Sequence, residues 1–196
     1  MSFVIVPYLA LACGLLMLVL WRVVDDRVLR RSAGRDWSKP RDTAQDRGSS
    51  RGVHVAFFLS IGVTLVTWYL GLGALPWYVL PLGLALMAIG LIVRGWALAT
   101  LGRHFSVRVK TTADQEIIQA GPYRLVRHPA YTEFLLIFIG FPVVLLLGFG
   151  LIVSLVAFGA AVGYRIHIEE QALVARFGPS YEAYRRSTWR LIPYVV

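Results

Sequence analysis

Long apolar segments that carry almost no charge decide what this chain can fold into. A helix that crosses a membrane needs about 20 predominantly apolar residues, and each segment has about that length or more. The chain is 57% hydrophobic and only 16% charged, whereas soluble domains contain about 25% charged residues. We therefore predict an all-α integral membrane protein. The apolar segments comprise residues 3–21, 53–73, 76–101 and 132–164.

The last apolar segment is too long for one span and predicts a helical hairpin. Gly148 and Gly150 interrupt it near its middle, so we expect two short helices, 131–147 and 149–166. A tight turn around Gly73–Pro76 predicts another hairpin between the two preceding segments. The total is about five transmembrane helices in a single membrane domain.

The basic residues predict the orientation of the protein. Of 20 Lys and Arg residues, 19 lie in the polar segments 22–51, 103–127 and 165–190. Cytoplasmic loops carry an excess of Lys and Arg, so we place these segments in the cytoplasm, the N-terminus outside, and the protein in a bacterial inner membrane. Topology then explains the net charge of +9 without a nucleic-acid partner. Because no basic leader precedes the first apolar segment, we expect a retained helix and not a cleaved signal.

The polar segments themselves contain weaker helical signals. We expect residues 22–52 to be a solvated connector that is partly helical near Asp25–Arg31. The tail that starts at residue 165 is predicted to begin as a helix and to stop near Gly178–Pro179, a natural helix break. A second short helix should follow over residues 180–187.

Residues that can carry chemistry cluster at the two cytoplasmic ends of the last hairpin. Arg127 and His128 lie where it begins, and Arg165, Glu169 and Glu170 where it ends. Arg165 and Glu169 share a helix face and could form a simple surface pair, whereas two adjacent carboxylates suit a cationic ligand or a partner Arg. We find no Ser or Cys nucleophile beside a base, no metal motif and no Gly-rich phosphate loop.

Two ionisable residues fall inside the predicted spans. Arg94 lies about two turns from the cytoplasmic end of the third span. An Arg in that place either serves a function or snorkels to the interface. Glu133 lies near the start of the fourth predicted span, where it either pairs with an Arg or faces a polar cavity.

Four motifs in order resemble the isoprenylcysteine carboxyl methyltransferase family, whose members are integral membrane enzymes that use S-adenosylmethionine. The resemblance covers about residues 90–193, and the first two helices match only in hydropathy. The motifs are RGWALATLGRHFS (94–106), GPYRLVRHPAY (121–131), RIHIEEQAL (165–173) and FGPSYEAYRRSTWRLIP (177–193).

The resemblance implies a cytoplasmic cofactor pocket formed by the 103–130 loop and the C-terminal helices. It lies within a methyltransferase core, residues 76–196, that follows an N-terminal part, residues 1–75. The residues implied to bind S-adenosylmethionine are Gln115, Glu116, Ile117, Ile118, Tyr123, His128, Pro129, Tyr131 and Glu169. The residues assigned to the acceptor are Arg165, Glu170 and Arg94, with Arg165 and Arg127 as the catalytic candidates.

The implied chemistry needs a positioned donor and acceptor more than it needs acid–base groups. Transfer of a methyl group from a sulfonium is an in-line displacement, so no metal is required and S-adenosylhomocysteine is the product. A carboxylate acceptor needs a cation to hold it, whereas an amine or thiol also needs proton removal, for which His128 or a Glu could serve. We expect a lipophilic or lipidated acceptor that enters from the membrane lipid, with the carboxylate of an isoprenylcysteine-like molecule as the first choice.

One departure from the family and three other functions stay open. Many members have Gly two residues after the tyrosine of the motif, where this chain has Glu133, so the acceptor is not fixed. The alternatives are a phospholipid N-methyltransferase, an NADPH-dependent enzyme resembling sterol reductases, which have Asn in place of Pro129, and a non-enzymatic membrane protein. Binding of S-adenosylmethionine, NADPH or neither distinguishes a methyltransferase from a reductase and from a non-enzymatic protein.

Overall fold

The structure, a computed structural model, describes residues 2–32, 47–101 and 117–195. Over these residues it contains α-helices, two short 3-10 turns and no β-strand, which confirms the predicted all-α class. The helices are α1 (Ser2–Ser32), α2 (Ser49–Tyr69), α3 (Leu80–Leu101), α4 (Pro129–Val144), α5 (Gly148–Phe177) and α6 (Pro179–Ser187), and the 3-10 turns are Trp77–Val79 and Gly121–Arg124.

Among the described residues, segments of four helices are long and apolar enough to cross a membrane. Helix α4 is apolar but has only 16 residues. Its length of about 24 Å is less than the hydrocarbon thickness of about 30 Å, so the total of five spans stays a prediction. The four segments are Pro7–Val24, Ser49–Tyr69, Trp77–Thr100 and Gly148–Phe177.

Helix α5 is longer than the predicted helix over 149–166. It has 30 residues and is therefore about 45 Å long. Polar residues from Arg165 onward do not interrupt its backbone hydrogen bonds, so the span and the polar tail form one helix. It ends before Gly178, whose φ is +52°, and Pro179 then begins α6, as predicted. Helix α1 likewise continues past its apolar part to Ser32.

Glycines let α3 and α4 approach closely. A Cβ atom on Gly83 would lie 2.6 Å from the backbone nitrogen of Val144, and one on Gly140 would lie 2.6 Å from Cγ of Met87. Small residues permit such contacts between membrane helices. Gly83 therefore contributes to helix packing within the bundle.

We expect Gly83→Ala to lower the stability of the protein by about 1–3 kcal/mol, because an inserted methyl group in a tight contact forces the helices apart. Thermal unfolding of the detergent-purified protein measures the loss. Gly95→Ala on the same helix is the control, since a Cβ atom at Gly95 meets nothing within 4 Å. Equal melting temperatures for the two variants would contradict this account of the crossing.

Candidate functional site

The 3-10 turn before α4 is fixed against the C-terminal part of α3. Gly121 has a φ of +54°, and a Cβ atom on it would lie 2.5 Å from Oγ1 of Thr100 and 3.1 Å from Nε1 of Trp96. Only glycine suits both this backbone conformation and this space. The turn buries Tyr123, whose carbonyl oxygen accepts a hydrogen bond of 2.7 Å from the hydroxyl of Tyr184 on α6.

His128 and Tyr131 are positioned by the first turn of α4. The helix begins at Pro129, and proline is favoured at a first helical position because its φ already fits. The carbonyl of His128 accepts hydrogen bonds from the amides of Tyr131 at 2.9 Å and Thr132 at 3.1 Å. The His128 ring is buried and its centre lies 5.6 Å from that of the Tyr131 ring.

Arg165 lies in a cluster that joins α2, α4 and α5. Its Nε donates to the Tyr131 hydroxyl at 2.9 Å, and that hydroxyl donates to Oε2 of Glu169 at 2.8 Å. Its NH1 donates to Oγ of Ser49 at 2.9 Å and to Oγ of Ser50 at 2.8 Å. The guanidinium is buried while Glu169 is only half-buried. The Tyr131 hydroxyl therefore links the cation to a carboxylate that a ligand can reach.

Glu170 faces a different part of the molecule from Glu169. Its Oε1 lies 3.1 Å from Nε of Arg127 and 3.2 Å from Nε2 of His128. Its Oε2 lies 3.5 Å from NH2 of Arg190 and 3.8 Å from Nε of Arg185. Adjacent helical residues point about 100° apart, so α5 presents one carboxylate to Tyr131 and the other to this basic cluster.

The C-terminal segment pairs with the chain just before α4. The amide of Arg127 donates to the carbonyl of Trp189 at 2.7 Å, and the amide of His128 donates to the carbonyl of Arg190 at 3.1 Å. In return, the amide of Trp189 donates to the carbonyl of Leu125 at 3.0 Å. These three hydrogen bonds fix the position of the backbone at His128.

The tyrosine hydroxyls around the site are neutral at physiological pH. Burial raises the pKa of Tyr184 to about 12, although the nearby charge of Arg127 lowers it. Burial and the charge of Glu169 also raise the pKa of Tyr123, an effect that Arg94 opposes. Tyr123 therefore lies within the electrostatic range of both Glu169 and Arg94.

Arg94 and Glu133 form a buried pair on the opposite side of α4 from Tyr131. NH1 of Arg94 lies 3.7 Å from Oε2 of Glu133, with 6% and 0% of the side chains exposed. The indole nitrogen of Trp21 on α1 donates to Oε1 of Glu133, and the Arg94 guanidinium lies 5.7 Å from the centre of the Phe134 ring. Glu133 therefore pairs with an Arg, which is one of its two predicted alternatives. Arg94 is buried against Glu133, and its functional role stays a prediction.

Comparison with known proteins shows which family the chain resembles. A model of the isoprenylcysteine carboxyl methyltransferase family matches residues 82–175, a region that contains α4 and the Arg165–Glu170 stretch. Over these residues the chain is similar to the family. The integral membrane character predicted from the apolar helices agrees with it.

Members of the isoprenylcysteine carboxyl methyltransferase family resemble the chain in sequence and in fold. A probable protein-S-isoprenylcysteine O-methyltransferase of Oryza sativa subsp. indica is 31% identical over 121 residues, 61% of this chain and 63% of the plant protein. Protein-S-isoprenylcysteine O-methyltransferase A of Arabidopsis thaliana is 35% identical over 125 residues, 61% of each chain. The chain thus aligns with a little less than two thirds of these relatives. The solved eukaryotic intramembrane Ras methyltransferase shares its fold, with a TM-score of 0.60 and 23% identity over 72% of this chain and 52% of that chain.

The structure brings together part of the cofactor set that the family resemblance implied. His128, Pro129, Tyr131 and Glu169 lie in one cluster, with Tyr123 buried beside it; their contacts with a cofactor stay predictions. Of the other residues implied to bind S-adenosylmethionine, Gln115 and Glu116 lie outside the described residues. Ile117 and Ile118 are half-buried at the start of the described loop.

Glu170, a candidate for binding the acceptor, and Arg127, a catalytic candidate, have contacts that favour another role. Glu170 is 6% exposed and Arg127 donates to it, as well as to the carbonyls of Arg185 and Thr188. These contacts lie within the chain and favour structural roles, and the substrate role of Glu170 and the catalytic role of Arg127 stay predictions. Sequence analysis also missed Ser49 and Ser50, which lay in a segment interpreted as a solvated connector.

Proposed function

We propose that this protein transfers a methyl group from S-adenosylmethionine to the carboxylate of a lipophilic, isoprenylcysteine-like acceptor. The observation that carries the proposal is the Arg165–Tyr131–Glu169 cluster, in which a buried cation and an accessible carboxylate meet at one tyrosine hydroxyl. The names of the plant relatives support a carboxylate acceptor. The basic segments support a cytoplasmic site with the N-terminus outside, in an inner membrane of bacterial type.

The residues around Glu169 fit S-adenosylmethionine. When bound, this cofactor supplies a methyl group on a positively charged sulfonium. The half-buried carboxylate of Glu169 suits a positively charged ligand or its hydroxyl groups. The rings of His128 and Tyr131, whose planes are inclined by 35°, offer flat surfaces beside that carboxylate. Tyr123 is buried and Ile118 is half-buried, and the family resemblance implies that both contact the cofactor.

Arg165 is the residue that would hold the acceptor. A carboxylate is already ionised at pH 7 and needs orientation, which a guanidinium provides through paired hydrogen bonds. Tyr131, Ser49 and Ser50 fix the position of Arg165 before an acceptor arrives. Positioning of this kind contributes about 7–11 kcal/mol to well-oriented reactions. The site lies at the end of apolar helices, so a lipophilic acceptor can reach it from the bilayer.

We expect the detergent-purified protein to bind S-adenosylmethionine and S-adenosylhomocysteine at micromolar concentration, and Glu169→Gln to weaken this binding by about tenfold or more, because a charge-assisted contact is worth about 1.5–3 kcal/mol. Isothermal calorimetry measures both. Glu182→Gln, at an exposed acid of α6, is the control.

Three results would change the proposal. Binding of NADPH instead of the sulfur ligands would favour the reductase alternative, and binding of none of them would favour a non-enzymatic protein. If the cofactor binds but the methyl group is transferred to phosphatidylethanolamine and not to N-acetyl-S-farnesylcysteine, the protein is a phospholipid N-methyltransferase.

A further inference from the structure

The C-terminal strap, residues 188–191, lies beyond the region that matches the family model, which ends at residue 175. It nevertheless contacts the chain on both sides of His128. Besides the two backbone bonds from the Arg127 and His128 amides, the carbonyl of Leu191 accepts a bond of 2.7 Å from Oγ1 of Thr132 on α4. NH1 of Arg127 donates to the carbonyl of Thr188.

Glu170 joins this strap to His128. Four basic side chains surround its carboxylate. Arg127 and His128 come from the segment before α4, Arg185 from α6 and Arg190 from the strap. A buried carboxylate with several cationic partners is held strongly, because each partner is attracted to it and replaces part of its lost hydration. The carboxylate thus determines where both the strap and the His128 ring lie.

The position of His128 affects the proposed cofactor site. Its Nε2 lies 3.2 Å from Oε1 of Glu170, and its ring lies against that of Tyr131. Tyr131 in turn bonds Glu169 and Arg165. A rotation of the His128 ring would therefore move the tyrosine on which both proposed ligand contacts depend.

We propose that Glu170 and the C-terminal strap are positioning elements of the cofactor pocket, which act through His128 and Tyr131 without touching the ligand. This inference rests on the proposed methyltransferase function. The two adjacent carboxylates then have different roles. Glu169 contacts the ligand, whereas Glu170 fixes the positions of His128 and Tyr131. It also makes residues 188–191, which lie outside the region that matches the family model, part of the site.

Glu170→Gln tests the proposal, because glutamine keeps the shape and removes the charge that attracts the four basic groups. Hydrogen exchange followed by mass spectrometry should show the amides of residues 125–131 and 188–191 exchanging about tenfold faster in the ligand-free variant, with α3 unchanged. S-adenosylhomocysteine should bind about tenfold or more weakly, since small displacements cost a well-ordered site heavily. Arg190→Gln, on the partly exposed strap side, should shift both measurements in the same direction by less. Glu182→Gln should shift neither.

The kinetic constants of Glu170→Gln distinguish a positioning role of Glu170 from a general loss of stability. In a positioning role, Glu170→Gln raises the KM for S-adenosylmethionine while kcat at saturation stays within about threefold of wild type. A variant that merely unfolds lowers kcat at an unchanged KM, and that result would overturn the proposal. Unchanged exchange, or faster exchange with unchanged affinity, would overturn it as well. If the wild-type protein itself binds no sulfur ligand, the methyltransferase function fails first and the inference fails with it.

Discussion

Replacement of Arg165 by lysine should lower kcat/KM for N-acetyl-S-farnesylcysteine by about 10²–10³-fold, equivalent to about 2.7–4 kcal/mol of lost transition-state stabilisation. Lysine keeps the positive charge but has one nitrogen in place of a planar fork. It cannot bond the Tyr131 hydroxyl and both serine hydroxyls as Arg165 does while it also orients an acceptor carboxylate. The measurement is methyl transfer to the farnesylated acceptor at saturating S-adenosylmethionine.

Cofactor binding by Arg165→Lys shows whether Arg165 holds the acceptor or whether the substitution disrupts the whole site. Arg165→Lys should bind S-adenosylhomocysteine within about threefold of wild type, because the carboxylate of Glu169 is unchanged. Arg176→Lys, an exposed residue later on the same helix, should leave kcat/KM unchanged. If Arg165→Lys retains full activity, or if its only defect is cofactor binding, Arg165 does not hold the acceptor.

Local sequence was enough to predict which residues would meet at the polar ends of the hairpin formed by α4 and α5. A helix pair that leaves and returns must bring its ends together, so His128 and Glu170 were expected to be neighbours, and their side chains lie 3.2 Å apart. The glycine at position 178 and the proline after it also predicted the end of α5. The continuity of α5 was not predicted, because a change from apolar to polar residues marks the membrane boundary and not a helix end.

Side-chain partners could not be predicted where distant segments supply them. The sequence places Glu169 and Glu170 side by side, but which of them faces the ligand depends on where the strap and α6 lie. Ser49 reaches Arg165 only because α2 packs along α5. Hydropathy alone does not reveal that register, and the start of α2 looked like part of a polar connector.

Loss of the carboxylate at Glu133 should destabilise the protein by about 3–5 kcal/mol, since removal of one partner from a buried ion pair leaves the other charge uncompensated. Glu133 is fully buried and Arg94 is 5% exposed. Placing an Arg in the centre of a membrane helix costs about 2.5–3.5 kcal/mol on insertion scales. The variant Glu133→Leu also deprives the Trp21 indole of its acceptor, which weakens the attachment of α1 to the bundle.

The double variant Arg94→Met/Glu133→Leu tests whether the Arg94–Glu133 pair only stabilises the protein or also helps to bind the acceptor. Apolar side chains of similar volume replace a buried ion pair at little cost or with a gain, so the double variant should recover most of the stability that Glu133→Leu loses. Thermal unfolding in detergent measures all three proteins. If the stability returns but methyl transfer does not, the charges of Arg94 and Glu133 are retained for the acceptor, as the substrate role predicted for Arg94 requires. If the double variant unfolds as easily as the single one, the ion-pair account of Glu133 is wrong.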